Sequence, residues 1–273
     1  MNWFEDLFRL DGRVAVVTGG LGILGRTFCE GLAAYGAHVA VLDLNPGVCA
    51  EFARQLQQKY GRPCIGVGCD VSKPVQVKRA FQKVEDELGN VRIVLNNAAT
   101  KTSDIQAFYA PIEKYTLKQW RKVSAVNLDG VFVVAREAGR RMIATGAGGS
   151  IIQTSSLYGW VAPNPAMYEG AWYGGHAMNT PAVYSATKAA VHGLTRYLAI
   201  QWAPYRIRVN TLVPGGVEHE QNDTFKKNYA SRTPLGRMAR AEEMVGAVLY
   251  LASDASSYMT GQALIVDGGY TAW

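Results

Sequence analysis

An α/β fold, a doubly wound parallel sheet of about seven strands with helices on both faces, is what three features of this sequence predict. Short β-branched runs alternate with longer stretches of helical period. The runs are continuously apolar rather than alternating, so both of their faces should be covered. The length, 273 residues, suits one large domain with a sizeable core.

The strand candidates are "RVAVVTG" (13–19), "HVAVLDL" (38–44), "CIGVGCDV" (64–71), "VRIVLNNA" (91–98), "GSIIQTSS" (149–156), "IRVNTLVPG" (207–215) and "ALIVDGG" (263–269). Helical candidates lie between them near 24–36, 46–60, 74–88, 116–145, 184–204 and 241–253. In 184–204, Ala190, Leu194 and Leu198 recur at four-residue steps and predict a buried stripe. This alternation means βαβ units with right-handed crossovers. The stretches 157–183 and 216–235 fit no element, and long loops in a compact domain are usually functional.

Composition narrows the function. Apolar residues make up 48% and charged residues 18%, as in an ordinary compact globule. Lys plus Arg exceeds Asp plus Glu by 28 − 22 = 6, but the basic residues are scattered, without a run. That argues against nucleic acid and for attraction of small anionic cofactors or substrates. Cys29, Cys49, Cys64 and Cys69 form no CxxC pair and read as reduced packing groups. No metal site is expected. The start "MNWFEDLFRLDGR" lacks signal-peptide character, and no apolar run approaches a membrane span. A cytoplasmic protein without membrane partners is the expectation.

The first strand runs into "TGGLGILG" (18–25) and then a helix. Glycines at such a turn let the backbone approach a pyrophosphate, and the helix N-terminus offers free N–H groups. Taken alone, the turn is also what a tight strand–helix connection needs. Its context adds weight, because Asp43 follows at the end of the second strand. A carboxylate there can accept ribose hydroxyls and repels a 2′-phosphate, which favours NAD over NADP. The competing reading makes Asp43 the N-cap of helix 46–60. Tyr184 and Lys188 stand one helical turn apart and share a face. A nearby ammonium favours phenolate and so lowers the tyrosine pKa. An isolated YxxxK is more often a solvated helix face.

These motifs occur with Asp70 in "CDV", "NNAA" (96–99), Asn127 in "VNLDG", "TSS" (154–156), "VNTLVPGGV" (209–217) and "TGQALIVDGG" (260–269), in one order. Together they resemble the short-chain dehydrogenase/reductase family, from about Gly12 to Gly269. The resemblance implies a single Rossmann-type domain over 1–273, NAD as cofactor and a homotetramer. It implies that Ser156 positions the reacting oxygen and that Tyr184 exchanges the hydroxyl proton. It gives Lys188 the nicotinamide ribose and Asn127 a proton relay behind that lysine. Gly19, Gly22, Ile23, Leu24, Asp43, Leu44, Asp70, Val71, Asn97, Ala98, Tyr184, Lys188, Pro214, Gly215 and Val217 would line the cofactor cleft. Two departures stand out. Ile23 replaces the middle glycine of the family's TGxxxGxG, with Gly22 one place early, and Ala99 replaces the glycine of "NNAG".

The family's serine precedes its tyrosine by about a dozen residues, whereas here the separation is 184 − 156 = 28. Tyr168 has the shorter spacing, but its i+4 residue is Trp172, so Tyr184 is the catalytic candidate. The long connection, about 157–183, begins at Ser156 and ends at Tyr184, so it must sit beside the reacting centre. Its Tyr168, Trp172, Tyr173 and His176 suit a ring-shaped, hydroxylated substrate such as a sugar or sugar acid, or else a subunit contact. Lys101, Glu218, His219 and Asn222 are further substrate candidates, Lys101 for an anionic group. The expected chemistry is NAD-dependent interconversion of a secondary alcohol and a ketone, or oxidation of an anomeric hydroxyl to a lactone. A nucleotide-sugar epimerase or dehydratase and a non-catalytic NAD-binding sensor are the alternatives.

Overall fold

The computed structural model describes residues 3–273. In chain order the elements are α1 (Trp3–Asp6), β1 (Val14–Thr18), α2 (Ile23–Ala34), β2 (His38–Asp43), α3 (Pro46–Tyr60), β3 (Cys64–Gly68), α4 (Pro74–Leu88) and β4 (Val91–Asn96). There follow α5 (Ile105–Phe108), α6 (Leu117–Ser124), a π-helical turn (Ala125–Gly130), α7 (Val131–Thr145) and β5 (Gly149–Thr154). A hairpin of β6 (Trp172–Tyr173) and β7 (His176–Ala177) precedes α8 (Ala182–Trp202), β8 (Ile207–Pro214), α9 (Asp223–Ala230), α10 (Val245–Ala252) and β9 (Ala263–Val266).

All seven expected strands form one sheet in the order β3-β2-β1-β4-β5-β8-β9. Every pairing in it is parallel. The continuous apolar runs are explained by two cores, one on each face. Along β1, Ala15 and Val17 point into the core shared with α2, α3 and α10, while Val14 and Val16 point into the core shared with α4, α7 and α8. β9, at one end of the sheet, is only half-buried along its length, because an edge strand has one neighbour.

Helix ends follow local chemistry. Asn45, not Asp43, caps α3: its Oδ1 accepts from the N–H groups of Gly47 and Val48, with Pro46 at the first helical position. The capping alternative for Asp43 therefore falls, and its carboxylate is free for another task. In α8 the deepest stripe is Val183, Thr187, Val191, Thr195 and Ala199. The predicted Ala190 and Leu194 flank it half-buried, and only Leu198 of that set is fully inside. The helix is rotated so that Lys188 faces inward. The predicted helix 116–145 is interrupted by the π-turn, which carries Asn127. The stretches without predicted structure contain the β6–β7 hairpin and α9, held together by a third core of Leu157, Met167, Ala171, Phe225, Tyr229 and Met238 with Tyr270. Among the described residues no helix is long and apolar enough to cross a membrane.

Candidate active site

The sheet order reverses between β1 and β4, and a cleft of about 700 Å³ opens at the carboxyl ends of the strands there. All fifteen residues expected to line a cofactor cleft are in its wall, from Gly19 to Val217. The phosphate turn is shaped by close approach. Gly19 takes a left-handed φ of 64°, and a Cβ added at Gly25 would lie 2.0 Å from the Gly19 carbonyl oxygen. Glycine is thus demanded at 19 and 25. Ile23, at the family's middle glycine, opens α2 with its side chain 44% exposed, so no steric conflict arises. Gly22 is the N-cap and contributes no side-chain bond, which leaves the first-turn N–H groups of α2 without intrahelical partners. This cradle of backbone donors fits a pyrophosphate.

One buried hydroxyl and two half-buried carboxylates hold the rest of the wall. The Thr18 hydroxyl accepts from the N–H groups of Asn97 at 3.0 Å and Ala98 at 3.1 Å, which ties the end of β4 to β1. The Asp43 carboxylate accepts from Leu21 N–H at 3.0 Å and Leu44 N–H at 2.7 Å. It faces the cleft with lone pairs to spare for ribose hydroxyls. Asp70 accepts from the backbone N–H and the hydroxyl of Ser72.

Ser156, at the end of β5, and Tyr184, on α8, line both this cleft and a second compartment of about 240 Å³. Lys188 is buried, and its Nζ donates to the Thr154 carbonyl at 2.8 Å. Burial pushes the Lys188 ammonium down to about 8. The same cause pushes the Tyr184 phenol up, and the Ser156 hydroxyl pulls it the other way. The Lys188 ammonium lies 5.8 Å from the Tyr184 ring centroid. Asn127 is fully buried; its Oδ1 accepts from Thr100 N–H at 2.8 Å, and its Nδ2 has no partner among the described residues. Behind the site, the His192 ring and the Ser155 hydroxyl lie 3.0 Å apart, and Ser155 donates to the Lys188 carbonyl. This link between β5 and α8 was not apparent in the sequence.

Of the substrate candidates, Lys101 and Tyr168 line the second compartment. Trp172, Tyr173, His176 and His219 do not. Trp172 is 53% exposed on the hairpin, and Tyr173 lies under the Lys101 ammonium. His219 is exposed beside Glu220. Glu218 pairs with Lys226 at 2.8 Å. Asn222 holds the two segments together: its Oδ1 accepts from Trp172 and Phe225 N–H, and its Nδ2 donates to the Gly170 carbonyl. Sequence reasoning missed Tyr109, Gln221 and Phe225 in the compartment wall. Their stretches carry no motif. Among the described residues no group of three or more His, Cys, Asp or Glu side chains is placed to hold a metal ion.

A family model described as enoyl-(acyl carrier protein) reductase matches residues 22–271. The chain is 35% identical to a sorbose reductase of Candida albicans, over 97% of this chain and 89% of that one. It is 34% identical to a galactitol 2-dehydrogenase (L-tagatose-forming) of Cereibacter sphaeroides, over 99% of each. Among solved structures, a gluconate 5-dehydrogenase of Burkholderia cenocepacia in complex with NADP and tartrate is 36% identical, covers 98% of both chains and superposes with a TM-score of 0.86.

Proposed function

This chain belongs to the short-chain dehydrogenase/reductase family, and on that premise we propose that it interconverts a secondary alcohol of a polyol or sugar and the corresponding ketone, with NAD as the hydride carrier. The observation that carries the reading is the junction of two compartments. Ser156, Tyr184, Gly215 and Val217 belong to both the dinucleotide cleft and the smaller compartment. A reacting carbon placed there meets the hydroxyl pair on one side and the cofactor wall on the other. The relatives named for sorbose, galactitol and gluconate support the substrate class.

A bound nicotinamide supplies the hydride acceptor for oxidation and the donor for reduction. Tyr184 takes the substrate hydroxyl proton in oxidation and returns it in reduction. Ser156 favours the phenolate of Tyr184 before substrate binds and turns its one hydroxyl proton to the substrate oxygen afterwards. Lys188 brings positive charge within 5.8 Å of the Tyr184 ring and, as part of the cleft wall, would hold the nicotinamide ribose. Asn127, with a buried amide nitrogen that has no partner among the described residues, keeps a polar path open behind Lys188. Asp43 selects NAD, because its carboxylate faces the cleft where a 2′-phosphate would sit. The chain is read as one dinucleotide-binding domain over 1–273, with 157–183 and 216–235 closing the substrate side. A homotetramer is the proposed assembly; the half-buried edge strand β9 and the exposed Tyr197 and Ile200 of α8 support it, and light scattering at micromolar concentration tests it.

The test of the reaction is dinucleotide reduction followed at 340 nm on a panel of polyols, sugars and aldonates. Tyr184→Phe should lower kcat by about 10²–10⁴-fold while NAD binding persists. Retention of most of kcat, or no turnover of any panel member by the wild type, would overturn the reading.

A further inference from the structure

The compartment beside Ser156 and Tyr184 has a single formally charged side chain in its wall, Lys101. The other lining groups are apolar, glycine, hydroxyl-bearing or amide, so no carboxylate in the wall competes for the ammonium. The Lys101 Nζ stands 4.1 Å over the Tyr173 ring, a cation–π contact that holds it against the β6–β7 hairpin. No hydrogen bond or ion pair ties it to a described residue; the acid that acts on it, Glu220, does so through its field and is itself exposed beside His219. Lys101 follows Thr100, whose N–H is fixed by buried Asn127, so its backbone is anchored at the mouth of the cofactor cleft.

We propose that Lys101, seated on Tyr173, is the anion-binding residue of the substrate compartment, and that the preferred substrate is a carboxylated polyol, an aldonate, rather than a neutral alditol. The inference rests on the polyol reading above and narrows it. A lysine ammonium gains more from an anionic partner than from a neutral hydroxyl. The wall offers one cation, which matches the single charge of a carboxylate better than the charge of about −1.5 to −2 on a phosphate ester. A compartment of about 240 Å³ is also small. Lys101 acts on selectivity and not on the hydride step.

The experiment compares kcat/KM for five- and six-carbon aldonates with that for alditols of the same length and configuration, and for the matching sugar phosphates. The wild type should favour the aldonate at least tenfold, and rising salt should erode that preference. Lys101→Met should cut the aldonate-to-alditol ratio at least tenfold, mainly through KM, and Lys101→Arg should restore part of it. Tyr173→Leu should shift the ratio the same way by a smaller factor. A wild type that prefers alditols or sugar phosphates, or a Lys101→Met that lowers both substrates equally, overturns this inference and leaves the polyol reading standing. Turnover of none of the three classes overturns both.

Discussion

Gly25→Ala tests the phosphate turn where it is least able to yield. A Cβ at Gly25 would stand 2.0 Å from the Gly19 carbonyl oxygen and 2.9 Å from both the Gly19 carbonyl carbon and the Gly20 Cα. All three are backbone atoms, so relief requires α2 to move off the end of β1. Overpacking of this kind costs about 1–3 kcal/mol. At roughly 2–4 °C per kcal/mol, the melting temperature should fall by about 2–12 °C. Affinity for NAD should fall at least about tenfold, or 1.4 kcal/mol, because the displaced backbone carries the pyrophosphate donors. Gly22→Ala is the control. Its Cβ would meet only the Gly19 oxygen, at 3.3 Å, and its φ of −70° is open to alanine. It should cost about 1 kcal/mol or less. The assay is NADH fluorescence titration alongside thermal unfolding. If Gly22→Ala lowers the melting temperature as much as Gly25→Ala does, the steric ordering is wrong.

Asp43→Ala should weaken NAD and narrow its advantage over NADP, read as the ratio of kcat/KM values; a wild type that already prefers NADP sinks the assignment. Lys188 is ordinarily protonated up to 10.5 but is held near 8 by burial, so the unfolded chain binds the extra proton between those limits. Wild-type stability should therefore rise relative to Lys188→Met as pH goes from about 8 to 10.5, measured by urea unfolding; a difference that falls over that window contradicts the burial argument. Asn222→Ala removes the amide that joins Gly170, Trp172 and α9, and should raise KM for the polyol several-fold without changing KM for NAD. Trp172→Ala, by contrast, removes a side chain outside the compartment and should change either KM by less than about twofold; the reverse order would mean that the hairpin turns inward.

The sequence by itself determined the parallel sheet, because seven apolar runs separated by helical periods have few other ways to bury both faces. It also pointed to the residues that line the cleft and to Asn127, Ser156, Tyr184 and Lys188, of which the fold brings the last three into the cleft wall. Those positions are set by spacing along single elements: a strand end, one helical turn, one glycine turn. The departure at Ile23 was readable as well, but only the fold explains it, since glycine is forced by contact at 25 while the Ile23 side chain is exposed. The tertiary structure alone decided which of Asp43 and Asn45 caps α3, and how α8 is rotated to bury Lys188. It also decided the substrate wall. Trp172 and His176 sit at the right place in the chain, yet Trp172 is exposed on the hairpin and neither lines the compartment, while Tyr109 and Gln221 arrive from distant loops. The physical reason is that neither loop has a period of its own. Their paths are set by Asn222, Asn228 and the Phe225–Tyr229 core, contacts between segments about fifty residues apart that no local pattern encodes.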